Sequence, residues 1–357
     1  MYPYIYLAAN PQAYTAKRKD QKMQDQKQVV QAMLTPEAYT QDPGKIELIQ
    51  THISFVFLTE NYVYKVKKAV NFGFLDFSTL DKRRFFCEKE LELNRRLCPE
   101  IYLEVVSVNK SGVIKINGGG EAVEYALKMK RLPQERIMTT LLKEGKVDKK
   151  IVDEIAHIVA GFHSRAQTNS EISQFGSLKI VKTNWDENFS QTIKYIGQTI
   201  PQVDFQFIQT KINGFMEKNK ALFESRMADK RIRDCHGDLH SGNIFITDKI
   251  YIFDAIEFND RFRYSDVAAD AAFLAMDLDF QNRTDLADYF IERYLTYSKD
   301  QPLTQLLPFY KCYRAYVRGK VISFRLDDPN ISSTEKAAAT AEAQAYFKLA
   351  AEYAKKL

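Results

Sequence analysis

Cys235-His236-Gly237-Asp238-Leu239-His240-Ser241-Gly242-Asn243-Ile244-Phe245-Ile246, followed closely by Ile250-Tyr251-Ile252-Phe253-Asp254, is the stretch on which the reading of this chain turns. Two short apolar runs flank Thr247-Asp248-Lys249, a pattern that predicts a β-hairpin. The loop ahead of it offers Asp238 and, five residues on, Asn243; the second strand ends on Asp254. One carboxylate to take a hydroxyl proton, with an amide and a second carboxylate as oxygen ligands for a metal, is a set suited to phosphoryl transfer. The plainer alternative is an ordinary hairpin with Asp and Asn capping its turns.

The whole chain sets the bounds. At 357 residues it has room for one large domain or two lobes, each with its own core. A hydrophobic content of 45% and a charged content of 27% suit a soluble globular protein. No apolar run approaches the roughly 20 residues that span a bilayer, and Met1-Tyr2-Pro3-Tyr4-Ile5-Tyr6 lacks the basic start and long apolar core of a signal peptide. The expectation is no membrane. Cys87, Cys98, Cys235 and Cys312 are scattered, which points to a reducing cytoplasm and away from a zinc site or disulfide framework. A net charge of +5 is too mild to imply nucleic acid.

The ordered set His236-Gly237-Asp238, Asn243, Asp254 and Asp266 resembles the aminoglycoside phosphotransferase and choline kinase superfamily, whose loop reads His-Gly-Asp-x-x-x-x-Asn. Protein kinases carry Arg where Gly237 stands. Thr51-His52-Ile53-Ser54, Asn71-Phe72-Gly73-Phe74-Leu75-Asp76-Phe77-Ser78, Ile256-Glu257-Phe258 and Tyr313-Arg314-Ala315-Tyr316-Val317-Arg318-Gly319-Lys320 resemble a prokaryotic subgroup of aminoglycoside phosphotransferase family proteins. Many of that subgroup carry a further P-loop domain; no Gly-x-x-x-x-Gly-Lys-Ser/Thr occurs in this chain. The resemblance covers about residues 30 to 325. It implies an α+β fold of the two-lobed protein-kinase kind, with an antiparallel-sheet N-lobe and a mainly helical C-lobe. It also implies ATP, Mg²⁺ and a small-molecule acceptor, without identifying the acceptor as an aminoglycoside. The expected divisions are 1–44 for an N-terminal extension and short helix, 45–132 for the N-lobe and 133–357 for the C-lobe. Residues 1–28 read as peripheral, and Val29, Val30, Met33 and Leu34 as a short helix ended by Pro36.

In the N-lobe, runs at 46–50, 55–58 and 62–66 predict three strands, and 101–115 with 121–130 bring the sheet to about five. No Gly-rich phosphate loop appears; Ser54 is the candidate to offer a hydroxyl and amides to phosphate. Lys65 is the candidate for the nucleotide's α- and β-phosphates, set against a plain surface lysine like its neighbours Lys67 and Lys68. A helix from about Asp81 to Leu97, capped by Ser78 or Asp81, puts Glu90 on its apolar face with Phe86, Leu93 and Leu97. An inward carboxylate needs a partner, and Lys65 supplies one, the strand-lysine to helix-glutamate pair of kinases. The resemblance places the hinge, and backbone groups for adenine, at Lys130 and Leu132, with Pro133 marking a change of direction.

After the hinge the pattern turns helical. His163 reads as a satisfied core histidine, and Trp185 as a residue that either lines the acceptor site or packs. One long helix is expected from about Asp204 to Met227, and the tail 335–357 is Ala-rich and helix-prone. Glu257 has two open readings: a metal, outer-sphere or acceptor-amine partner, or an ion pair with Arg261 or Arg263. Lys311, Arg314, Arg318 and Arg325 fall on one face of a helix spanning Leu306 to Phe324. That stripe either meets an anionic acceptor, suited to the two-pronged geometry of Arg, or pairs with local acids such as Asp260, Asp266 and Asp270. The reading is an ATP-dependent phosphotransferase with Asp238 as base, Asn243 and Asp254 on Mg²⁺, and Lys65 held by Glu90 on the phosphates. Asp266 and His236 fix the loop; Glu257, Arg314 and Arg318 are possible acceptor contacts. A protein kinase and a non-catalytic nucleotide-binding module are the rivals.

Overall fold

The computed structural model describes residues 26–329 and 331–357. Most of the expected peripheral segment 1–28 lies outside them. The chain forms two compact units, one of residues up to Arg136 together with Tyr251–Asn259, the other of Ile137–Ile250 and Asp260–Leu357.

The first unit is built on a six-stranded antiparallel sheet in the order β1-β2-β3-β6-β4-β5. Its strands are β1 (Glu47–Gln50), β2 (Ser54–Leu58), β3 (Tyr62–Lys67), β4 (Tyr102–Ser111), β5 (Val113–Ile116) and β6 (Glu121–Lys130). The sixth strand arises because 101–115 is not continuous: Gly112, at φ +76°, turns the chain back so that Lys110 opposes Ile114. The short helix α1 (26–33) buries Val29 and Met33 against Phe57, Val66, Val108 and Ala126, closing one face of the sheet. Each such fully buried aliphatic or aromatic side chain contributes roughly 1.5–3 kcal/mol. Helix α2 (Leu80–Asn94) is capped by Thr79, whose hydroxyl accepts from the Lys82 amide, between the two expected caps Ser78 and Asp81, and it ends before Leu97. Its inner face is Arg83, Cys87, Glu90, Leu93 and Asn94, more polar than Phe86, Leu93 and Leu97 suggested.

The second unit is mainly helical: α3 (Met138–Lys143), α4 (Lys149–Arg165), α5 (Ser170–Ser173), α6 (Leu178–Thr192), α7 (Gln202–Lys218), α8 (Lys220–Ala228), α9 (Asp260–Arg263), α10 (Val267–Phe280), α11 (Thr284–Ser298), α12 (Leu303–Ser323) and α13 (Ser333–Ala354). The long helix expected over 204–227 is interrupted at Asn219, whose side chain takes the Phe215 carbonyl. Strands β7 (Ile232–Asp234) and β10 (Tyr264–Asp266) pair antiparallel, while β8 (Ile244–Ile246) and β9 (Ile250–Ile252) flank the turn Thr247–Lys249. A capping box of Ser332 and Glu335 starts the Ala-rich α13. Trp185 is fully buried and packs on Phe189, Phe309, Tyr313 and Tyr316. No helix among the described residues is long and apolar enough to cross a membrane. The four cysteines are free and buried. The α+β class expected from the sequence is the one observed: an antiparallel-sheet unit and a mostly helical one.

Candidate functional site

In the second unit the site is the loop His236–Asn243. Gly237 sits at φ +85°, a left-handed conformation that a side chain such as Arg would strain. The loop is held from α10. Asp270 accepts the His236 amide at 2.7 Å on one oxygen and the Gly237 amide at 2.9 Å on the other, with His163 Nε2 at 3.3 Å. Asp277, two turns along, accepts the Ser241 amide at 2.8 Å. Helix α10 is otherwise apolar and buried, so its acids have no water to face and their lone pairs go to the loop. His163 donates or accepts through Nδ1 with Tyr294 Oη at 2.8 Å, the satisfied core histidine expected of it. Arg314 Nη1 donates to the Gly237 carbonyl at 2.9 Å and Nε to the Ala269 carbonyl at 3.1 Å, tying α12 to the same loop.

Asp238 is thereby presented in a fixed environment. Asn243 Nδ2 donates to its carbonyl at 2.9 Å and to its Oδ2 at 3.0 Å. His240 Nδ1 accepts the Gly242 amide, which puts the ring proton on Nε2, 3.5 Å from Asp238 Oδ2. Burial pushes the Asp238 carboxyl up, but His240, Arg318 and His236 outweigh it and hold the group below its ordinary 3.8. It is therefore a carboxylate at neutral pH. Asn243 Oδ1 is buried and has no hydrogen-bond partner among the described residues.

In the first unit the candidates meet in a chain of ion pairs. Lys65 Nζ reaches Glu90 Oε1 at 2.7 Å and Asp254 Oδ1 at 2.8 Å. Glu90 Oε2 receives Lys67 at 2.7 Å, and Lys67 also pairs with Glu257. Lys65 and Lys67 are two apart on β3 and share one face, so one glutamate on α2 holds both. Burial would raise Glu90, but the two lysines hold it at about 2. Glu257 goes the other way: burial raises it more than Lys67 lowers it. Three carboxylates face two ammonium groups, so the network retains an unbalanced negative charge. Asp254, at φ +65°, is an unusual backbone for a non-glycine residue. Its amide donates to Tyr102 Oη at 3.2 Å, and the following Ala255 amide to Asn94 Oδ1 at 2.9 Å.

Several expectations are corrected. Glu257 pairs with neither Arg261, which holds Glu187, nor Arg263, which holds Asp234 and Asp260; its partner is the buried Lys67. Asp266 does not touch the loop. It caps α10 through the Ala268 amide and receives Arg226, and Asp270, one turn on, does the bracing. His236 contributes through its backbone amide to Asp270, and its Nδ1 accepts weakly from the Asp238 amide at 3.3 Å. The basic stripe on α12 is not a free surface: Lys311 pairs with Asp279, and Arg314 is spent on the loop. Arg318 lies over the Tyr346 ring, and burial, which lowers it, is outweighed by Tyr346, Asp238 and Asp277. Ser54 is fully buried, its amide already donates to Thr51 Oγ1 and its hydroxyl has no partner among the described residues, so it offers no free amide for phosphate. The Lys130 amide is engaged by the Ile101 carbonyl, and the Leu132 carbonyl accepts from Gln134 Nε2 at 3.4 Å. Asp277 and His240 escaped the sequence reading, Lys67 was read there as a surface lysine, and Asp270 entered only as a partner for the α12 stripe, which Arg314 at 3.7 Å bears out. Asp270 carried a signal, a lone acid inside the apolar run Val267–Met276.

A family model described as the phosphotransferase enzyme family matches residues 87–306, which include both the loop and Asp254. The chain belongs to this family. Among relatives of this chain, an uncharacterized protein of Mycobacterium tuberculosis is 34% identical over 281 residues, 78% of this chain and 55% of the relative. An uncharacterized protein of Mycobacterium bovis matches to the same extent. The chain thus spans about half the length of the curated relatives it matches. A choline/ethanolamine kinase family protein from Mesorhizobium loti shares the fold, with a TM-score of 0.50 and 12% identity over 94% of this chain and 100% of the other.

Proposed function

We propose that this phosphotransferase moves the γ-phosphoryl group of ATP to a hydroxyl of a small metabolite. One observation carries the reading. Asp238 is a buried carboxylate, ionised at neutral pH and braced on its loop, beside an asparagine whose carbonyl oxygen is left without a partner. Asp238 orients the acceptor hydroxyl and takes its proton as the new bond forms. Asn243 and Asp254 are the oxygen ligands for Mg²⁺. The fit is chemical: Asn243 Oδ1 and a second Asp254 oxygen are hard donors with no other hydrogen-bond partner among the described residues. When bound, the metal neutralises charge on the phosphates. Lys65, held by Glu90, provides the cation for the nucleotide's α- and β-phosphates. With the Lys130 amide and the Leu132 carbonyl engaged elsewhere, the Lys130 carbonyl and the Leu132 amide are the backbone groups assigned to the base, and the free thiols suit a reducing cytoplasm.

The test is ATP turnover by the full chain against a panel of hydroxyl-bearing metabolites, with and without Mg²⁺, beside Asp238→Asn. The expected result is ADP release that depends on one acceptor class and on Mg²⁺, falling about 10²–10⁴-fold in Asp238→Asn. Turnover by Asp238→Asn at the wild-type rate sinks the assignment. ATP binding without turnover on any acceptor favours a non-catalytic nucleotide-binding module.

A further inference from the structure

Lys320 is a buried cation without a counter-charge. Its residue is 3% exposed, and its ammonium donates to Asn188 Oδ1 at 2.6 Å and Gln191 Oε1 at 2.8 Å, both neutral. Every other buried lysine or arginine among the described residues has a carboxylate oxygen 3.7 Å away or nearer: Lys67 has Glu90, Arg83 has Glu124, Arg226 has Asp266, Arg263 has Asp234, Lys311 has Asp279 and Arg314 has Asp270. The acid acting on Lys320, Glu187, is already spent, with both oxygens on Arg261 at 2.8 and 2.6 Å. Arg261 itself repels the ammonium, which also lies over the Phe324 ring at 5.8 Å. Burial without compensation lowers the amine to about 7.

The surroundings have spare hydrogen-bonding capacity of matching kind. Trp185 Nε1 is a buried donor and Asn184 Oδ1 a buried acceptor with no partner among the described residues, while the Asn188 amide has the Tyr313 hydroxyl as its neighbour. Residues 184, 185 and 188 share a face of α6, which packs on α12. Water would satisfy the donor but would not supply the missing charge. The Glu187–Arg261 pair beside Lys320 meets solvent, with side chains 44% and 25% exposed. Arg318, two residues before Lys320 on α12 and so on another face of it, is held charged by Tyr346 first, then by Asp238 and Asp277.

We infer that Lys320 and Trp185 bind the anionic group, phosphate or carboxylate, of a small hydroxyl-bearing compound, with Asn184 accepting from a hydroxyl. That this compound is the phosphoryl acceptor rests on the function proposed above; that an anion binds here does not. The site also explains why a folded protein retains a lone buried ammonium, since a ligand supplies the charge.

The experiment needs no nucleotide, so an inactive protein does not confuse it. The Lys320 Cε–Hε resonance of the full chain, labelled with ¹³C-lysine and assigned by its absence in Lys320→Met, is followed against pH. Titrants are inorganic phosphate and glycolate, with sodium chloride and choline chloride as ionic-strength controls. The expected result is saturable binding of one of the two anions that raises the Lys320 pKa by about one or more, a tenfold preference for the charged form. Calorimetry should show Lys320→Met binding that anion at least about tenfold more weakly, with an unliganded melting temperature no lower than the wild type's. A response to phosphate alone assigns a phosphorylated compound, and one to glycolate alone a carboxylate. A Lys320 resonance unmoved by either anion, or moved equally by chloride, overturns the inference on the wild-type protein alone, whatever the variant does.

Discussion

Glu90→Gln is the most informative perturbation of the first unit. Glu90 is fully buried and receives Lys65 and Lys67, each at 2.7 Å. Glutamine keeps the shape but accepts from one lysine and presents an amide N–H to the other. Two buried ammonium groups then lose their shared counter-charge. A carboxyl held at about 2 against an ordinary 4.5 corresponds to about 3 kcal/mol. Breaking a buried pair by removing one partner costs about 3–5 kcal/mol, in agreement. The sign follows from the lowered value. The contribution is present above pH 4.5 and lost as pH falls from 4.5 toward 2, so wild type has an acid limb of that size that Glu90→Gln lacks. Hydrogen exchange by mass spectrometry on peptides covering β3 and α2, in a urea series, reads the unit directly. Adding Lys67→Met removes the stranded cation and should recover a large part of the loss, a coupling the double-mutant cycle measures. A loss under about 1 kcal/mol in Glu90→Gln at pH 7, or a double variant as unstable as the sum of the singles, refutes the reasoning.

Two further outcomes are expected. Asp270→Ala leaves the buried His236 and Gly237 amides without acceptors, at roughly 1–3 kcal/mol each; urea unfolding followed by the fluorescence of Trp185, which lies in the same unit, should show about 2–5 kcal/mol lost, and a loss within about 0.5 kcal/mol refutes the bracing role. Because His240, Arg318 and His236 hold Asp238 below its ordinary 3.8, the base is already ionised at mildly acidic pH. The acceptor kcat/KM should therefore show no loss attributable to it between about pH 5 and 8, and should fall only below its lowered pKa; an acid limb near pH 6 that vanishes in Asp238→Glu points to a different environment.

The parts legible in the sequence were those whose geometry is local. The spacing from Asp238 to Asn243 lies within one loop, and the Gly237 conformation explains why that loop carries glycine. Glu90 was legible because an acid on an inward helix face demands a partner, whatever the fold supplies. What escaped depended on contacts distant in sequence. Asp266 and Asp270 are both acids near one helix start; only packing tells that the first caps the helix and receives Arg226, while the second, a turn deeper, meets the loop. On the α12 stripe the alternative of local pairing holds for Lys311 and Arg314, with Asp270 at 3.7 Å from Arg314, but spacing does not reveal that Asp279 and the Gly237 carbonyl are the nearer partners.

Lysine shows the limit most sharply. Lys65, Lys67 and Lys68 are near neighbours, yet Lys67 is buried between Glu90 and Glu257 while Lys68 has its ammonium over the Phe55 ring. Strand alternation puts Lys65 and Lys67 on one face, a signal that the reading of Lys67 as a surface lysine passed over, and a second buried lysine demands a second carboxylate, which is Glu257. Lys320 is the converse. The same demand for a counter-charge, applied to a lysine buried on α12, finds only Asn188 and Gln191. A satisfied buried charge is explained by the fold that pairs it. One left unpaired costs stability in the free protein, and that cost is the ground for the anion site proposed at Lys320.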